Sequence, residues 1–118
     1  MPSLQLRIHI QEMVTSLFEL YAEFLATGTY YRNGQAEATV RFLVMPVPPA
    51  VVDGTMVLPD DEHLLLDAAE LTAVDRPRPG DYIIQTGNNF RRAIVTTHLD
   101  LTGTLWTFVG RRSYVTEE

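Results

Sequence analysis

The 118-residue sequence has no cysteine. Disulfides, thiolate metal sites and cysteine nucleophiles are therefore excluded. It has no lysine either, so all nine cationic side chains are arginine. No apolar run approaches the roughly 20 residues a transmembrane helix needs. The opening MPSLQLRIHIQ lacks the charged start and uninterrupted apolar block of a signal peptide. Phosphate-cradling glycine loops of dinucleotide or Walker type do not occur. His9, His63 and His98 come from separate segments with no short-spaced pair, so no zinc site is expected. Ser3, Ser16 and Ser113 lack a nucleophile-elbow context. Asp60-Asp61-Glu62 lacks the repeated oxygen-ligand spacing of a calcium loop and reads as a solvated negative patch. No catalytic residue, cofactor or metal is expected, and the chain is not expected to be an enzyme.

What is present suits one domain. The length matches a single-domain core, and hydrophobic residues make up 46% of it. With 20% charged residues, the composition is neither disordered nor membrane-like. The charge is uneven. Residues 1–75 hold three arginines against eleven acids, and residues 76–118 hold six arginines against four. The net charge of −6 makes the chain a poor free-standing nucleic-acid binder, since phosphate neutralisation drives such binding. A single-strand-binding barrel would interleave exposed aromatics with basic residues. Tyr30-Tyr31-Arg32 and Phe90-Arg91-Arg92 come nearest, and both fit a barrel wall equally well. The asymmetry reads either as a solvated surface or as acidic and arginine-bearing faces that pair between subunits.

Leu6, Ile10, Met13, Leu17, Leu20 and Phe24 form a stripe at helical period, predicting a helix over 1–27. Ser3 would cap it and Gly28 would stop it. Residues 4–10 also alternate, which leaves a strand start open there. After Gly28 the period changes to two. Asn33-Gly34 predicts a tight hairpin turn into a strand over about 36–45. Further strands are expected near 62–66, 81–86, 90–98 and 104–111, with turn chemistry at Gly87-Asn88-Asn89 and Asp100–Gly103. Asp67–Leu71 reads as one helical turn capped by Asp67, with Glu70 at capping-box spacing. The expected fold is mainly β with an N-terminal helix (α+β). Its body is a small antiparallel barrel of six to seven strands over 28–112, with a tail at 113–118.

The segment 46–61 is long for a connection and rich in proline. Its apolar residues Val51, Val52, Met56, Val57 and Leu58 surround Asp53-Gly54, a turn signal. It reads as a protruding loop or hairpin, or else as a strand pair folded down on the barrel. Strand alternation sends Arg91 and Arg92 to opposite faces, and likewise Arg111 and Arg112. These four arginines, with Val51, Val52, Asp53, Gly54, Met56, Val57 and Leu58, are the candidate contacts to a neighbour.

Residues 66–112 carry a wider signal. They read Asp67-Ala68-Ala69-Glu70-Leu71, then Arg76-Pro77-Arg78-Pro79-Gly80-Asp81, and close on Leu105-Trp106-Thr107-Phe108-Val109-Gly110-Arg111-Arg112. This resembles the head–tail joining (head-completion, connector) proteins of tailed bacteriophages and prophages. The likeness extends as a pattern to about residue 28. It implies a structural virion protein that forms a ring as adaptor or stopper, joins portal to tail, and helps retain or conduct DNA. The implied partners are copies of itself, portal or adaptor and tail-terminator proteins, and passing double-stranded DNA contacted without sequence specificity. No membrane is involved, and the implied location is the head–tail junction of a virion assembled in the host cytoplasm. An oligonucleotide-barrel-type binding module is the alternative, and an accessory domain of an enzyme a third.

Overall fold

The computed structural model describes residues 24–74 and 76–114, together with Glu12, Met13, Ser16 and Glu19. Period-two alternation produces six strands: β1 (Ala26–Arg32), β2 (Gln35–Pro46), β3 (Glu62–Asp67), β4 (Tyr82–Gln85), β5 (Phe90–Leu99) and β6 (Leu105–Tyr114). They close into one antiparallel barrel in the order β1-β2-β3-β6-β5-β4. Two three-stranded meanders, β1–β3 and β4–β6, are thus joined along two seams, β3–β6 and β1–β4. Closure removes every sheet edge that an open meander would expose.

The inward residues follow from the register. Tyr30, Val40, Phe42, Leu64, Leu66, Ile83, Ile94 and Phe108 are buried and pack as one core, which Leu71 and Val74 join. Asn33 and Gly34 have φ of 53° and 77°, the two positive values a two-residue hairpin requires. Asp67 accepts a hydrogen bond from the Ala69 N–H and starts the expected turn, a 3-10 helix over Ala68–Leu71. Glu70 does not complete a capping box. It binds the Arg41 backbone N–H and guanidinium instead, tying the turn to β2.

The N-terminal helix predicted over 1–27 is not borne out as an element, since most of its sequence lies outside the described residues; of those described, Glu12, Met13, Ser16 and Glu19 are helical and exposed. Its C-terminal boundary is corrected, because Ala26 and Thr27 already belong to β1. Gly28 is not a helix stop. It sits inside β1 opposite Gln85, where an added Cβ would lie 2.6 Å from the Ile84 carbonyl oxygen. The missing side chain lets β1 and β4 approach closely enough to close the barrel. At the other terminus β6 extends the barrel to Tyr114.

Candidate functional site

Each end of the barrel is closed by ion pairs between strands far apart in sequence. At one end Tyr30 donates its hydroxyl proton to Asp81, and Arg32 donates from Nε and Nη2 to the same carboxylate. The Arg78 N–H adds a further bond, while Arg32 also reaches the Arg76 carbonyl. Burial opposes ionisation of Asp81, but the bonds from Arg32 and Tyr30 outweigh it, and its carboxyl lies below the ordinary range. The Tyr30 hydroxyl is pushed well up, first by burial and then by its bond to Asp81.

The other end holds Arg92. Its guanidinium is buried, donates to Glu62 at 3.1 Å and to Gln85, and lies 5.6 Å from the Phe42 ring centre. Arg112 caps the same end, 4.0 Å from Glu62 and over the Phe90 ring. A groove of about 510 Å³ opens beside it, walled by Val44, Met45, Pro46 and Pro59 and edged by Asp60 and Glu62.

The segment 47–61 does not stand free as a protruding arm. Val47, Val57 and Val109 are buried together, with Val52 and Val95 packed against them. The strap therefore lies on the outer wall of β5 and β6. Its turn is built by Asp53, which accepts from the Thr55 and Val57 N–H groups. Arg111 clamps its far end by donating to both oxygens of Asp61 and to the Met56 carbonyl. Burial raises the Asp61 carboxyl, but the Arg111 and Leu58 N–H bonds hold it below the ordinary range. The physical reason for the correction is apolar area: these valines are removed from water only when the strap folds down. Deleting 50–58 should therefore destabilise the isolated protein, by roughly 1.5–3 kcal/mol for the lost burial of Val57 alone. Chemical denaturation measures this; an unchanged unfolding free energy would show that the strap carries no stability.

The sequence-predicted contact residues thus separate. Arg91 is exposed and Arg92 is buried, as alternation requires, so Arg92 is not available to a neighbour. Arg111 is engaged within its own chain by Asp61, and Arg112 remains at the groove. In the strap, Val57 is buried and Val52 and Leu58 are half-buried, whereas Val51, Asp53, Gly54 and Met56 are exposed. Sequence reasoning missed Asp81, Arg32 and Glu62, whose side-chain partners lie 30 to 51 residues away.

It also missed an arrangement on the outer wall of β1, β4 and β5. Tyr31 and Tyr82 face each other across the β1–β4 seam and stack, ring centres 5.1 Å apart and planes 8° from parallel. The Arg91 guanidinium lies over the other face of Tyr82, 3.9 Å from its centre. The available signal was the Tyr-Tyr-Arg and Phe-Arg-Arg wording, which does not reveal that the two segments meet.

Among the described residues, no three His, Asp or Glu side chains form a group that could hold a metal ion. No described helix is long and apolar enough to cross a membrane. Comparison with family models, with curated proteins and with solved structures finds no match to this chain.

Proposed function

We propose that this chain is a structural subunit of the head–tail connector of a tailed phage or prophage. In this reading it assembles as a ring between portal and tail and helps retain or conduct DNA. The supporting observation is where the family-like residues fall on the barrel. Asp67–Leu71 closes one end, Arg76–Asp81 supplies the buried Asp81 of the same end, and Leu105–Arg112 forms the strand on which the strap rests. The residues that carry the resemblance are those that shape one barrel end and the strand beneath the strap. A net charge of −6 suits a conduit, because DNA slides past carboxylates and is held by arginines. The virion site is the head–tail junction, and assembly takes place in the host cytoplasm.

The oligonucleotide-barrel module is the second reading, and the Tyr31–Tyr82–Arg91 stack is the observation in its favour. Both faces of Tyr82 are already covered, which leaves little aromatic surface for a base. Deleting the gene from the phage or prophage that encodes it is the test. Heads and tails should then accumulate unjoined, and a plasmid copy should restore joined particles. Joined, infectious particles at the wild-type count in the deletion strain would overturn the proposal.

A further inference from the structure

The described arginines fall into two groups. Arg32, Arg41, Arg92, Arg111 and Arg112 each have a carboxylate within 4.0 Å. No such ion pair is formed by Arg76, Arg78 or Arg91 among the described residues. All three are exposed. Arg76 and Arg78 lie in the loop that Arg32 and Asp81 tie to the Tyr31–Tyr82 end of the barrel. Arg91 is held flat on Tyr82, with Tyr31 stacked beneath. A pre-ordered arginine backed by two tyrosines is the composition of an interface hot spot, and it binds carboxylates with little loss of side-chain freedom.

The acidic counterpart lies on this same chain. Asp61 and Glu62 are occupied by Arg111 and Arg92. Asp60 is exposed, forms no ion pair among the described residues, and stands at the rim of the groove walled by Met45, Pro46 and Pro59. The barrel order places the two features on opposite walls: the stack on β1, β4 and β5, the groove beside β2, β3 and Arg112 of β6. Complementary patches on opposite walls make a heterologous contact, which repeats from subunit to subunit and closes into a ring when its rotation permits.

We infer that the Arg91–Tyr82–Tyr31 stack docks a second copy of this chain, with Arg91 gripping Asp60 at the rim of that copy's groove. Arg76 and Arg78 supply the surrounding positive field that steers the acidic copy in. The inference names the subunit contact of the ring proposed above and so rests on that reading. The overall negative charge favours this occupant over nucleic acid, since the chain offers carboxylates in excess.

The test uses the full chain in three forms: wild type, Arg91→Glu and Asp60→Arg. Native mass spectrometry over a concentration series, at low and high salt, reads self-association. Both positions are exposed, so both variants should stay folded, as circular dichroism reads. Each single reversal should weaken association by at least about tenfold. Mixing the two variants should restore it. The introduced glutamate of one then meets the introduced arginine of the other, and the native Arg91 of the second meets the native Asp60 of the first. Wild-type association in either single variant, or no recovery on mixing, would overturn the contact. A wild type that stays monomeric throughout, or Arg91-dependent binding of single-stranded DNA, would overturn it too. The gene deletion reads the head–tail role separately: unjoined heads and tails beside unaltered association of Arg91→Glu would sink this contact and leave the connector reading standing.

Discussion

Gly28→Val is expected to prevent the barrel from closing. Even the single methyl of Gly28→Ala would place a carbon 2.6 Å from the Ile84 carbonyl oxygen, 3.0 Å from the Ile83 side chain and 3.2 Å from the Phe42 ring. The first of these is backbone and cannot rotate away, so β1 and β4 must separate. Overpacking of this kind costs roughly 1–3 kcal/mol and more where the backbone has to move. Gly110→Ala is the internal comparison. Its new methyl would meet the end of the Leu64 side chain at 2.9 Å, and that group has rotamers to try. Denaturant midpoints should therefore fall further for Gly28→Ala than for Gly110→Ala, and Gly28→Val should be insoluble or unfolded. A Gly28→Ala protein as stable as wild type would remove the close-approach argument.

Asp81→Ala is expected to be the most damaging polar change. It strips Arg32 and the Tyr30 hydroxyl of their shared acceptor inside the barrel end. Leaving the buried Tyr30 hydroxyl without its acceptor costs roughly 1–3 kcal/mol, and the loss of the part-buried Arg32 pair adds to it. The same carboxylate sets an acid dependence. Its folded pKa is depressed, so its stabilisation is complete above the unfolded value near pH 4. It is lost as pH falls through the lower, folded value. Asp61 and Asp100 are depressed as well and act in the same direction. Wild-type unfolding free energy should hold steady from pH 7 to about pH 5 and then fall. Asp81→Asn should start lower and fall less steeply. Equal slopes for the two proteins would show that Asp81 does not contribute to the acid transition.

The strands and their turns were legible because both signals are local. Alternation placed all six strands, and Asn33-Gly34 needed no partner to declare its turn. Which strand pairs with which was not legible, because β3–β6 and β1–β4 join segments through register and not through neighbouring residues. The same limit hid the polar architecture. Alternation separated Arg91 from Arg92, yet nothing near Arg92 announces that Glu62 waits across the barrel. Gly28 shows how one residue type serves two purposes: a helix stop and a close strand approach both favour glycine, and the flanking sequence does not distinguish them. The strap was misjudged for a related reason. Its prolines and length suit a projecting element, and its folding down depends on Val95 and Val109, which belong to strands far along the chain.

The two seams also set how the molecule comes together in time. Each meander is built from neighbours in sequence, and its β1–β2, β4–β5 and β5–β6 hairpins close over short turns and form early, whereas β2–β3 closes over the strap. The seams join residues dozens of positions apart, and that distance makes barrel closure the slow event of folding. They are unequal in length: β3–β6 aligns six residue pairs and β1–β4 four. Of the two seams the shorter opens first during native-state fluctuations, so backbone amides of Gly28 to Tyr31 should exchange with solvent sooner than those of Glu62 to Leu66. The Tyr31–Tyr82 stack lies across that seam, and a neighbour bound there would act as a bolt on the shorter of the two seams that close the barrel.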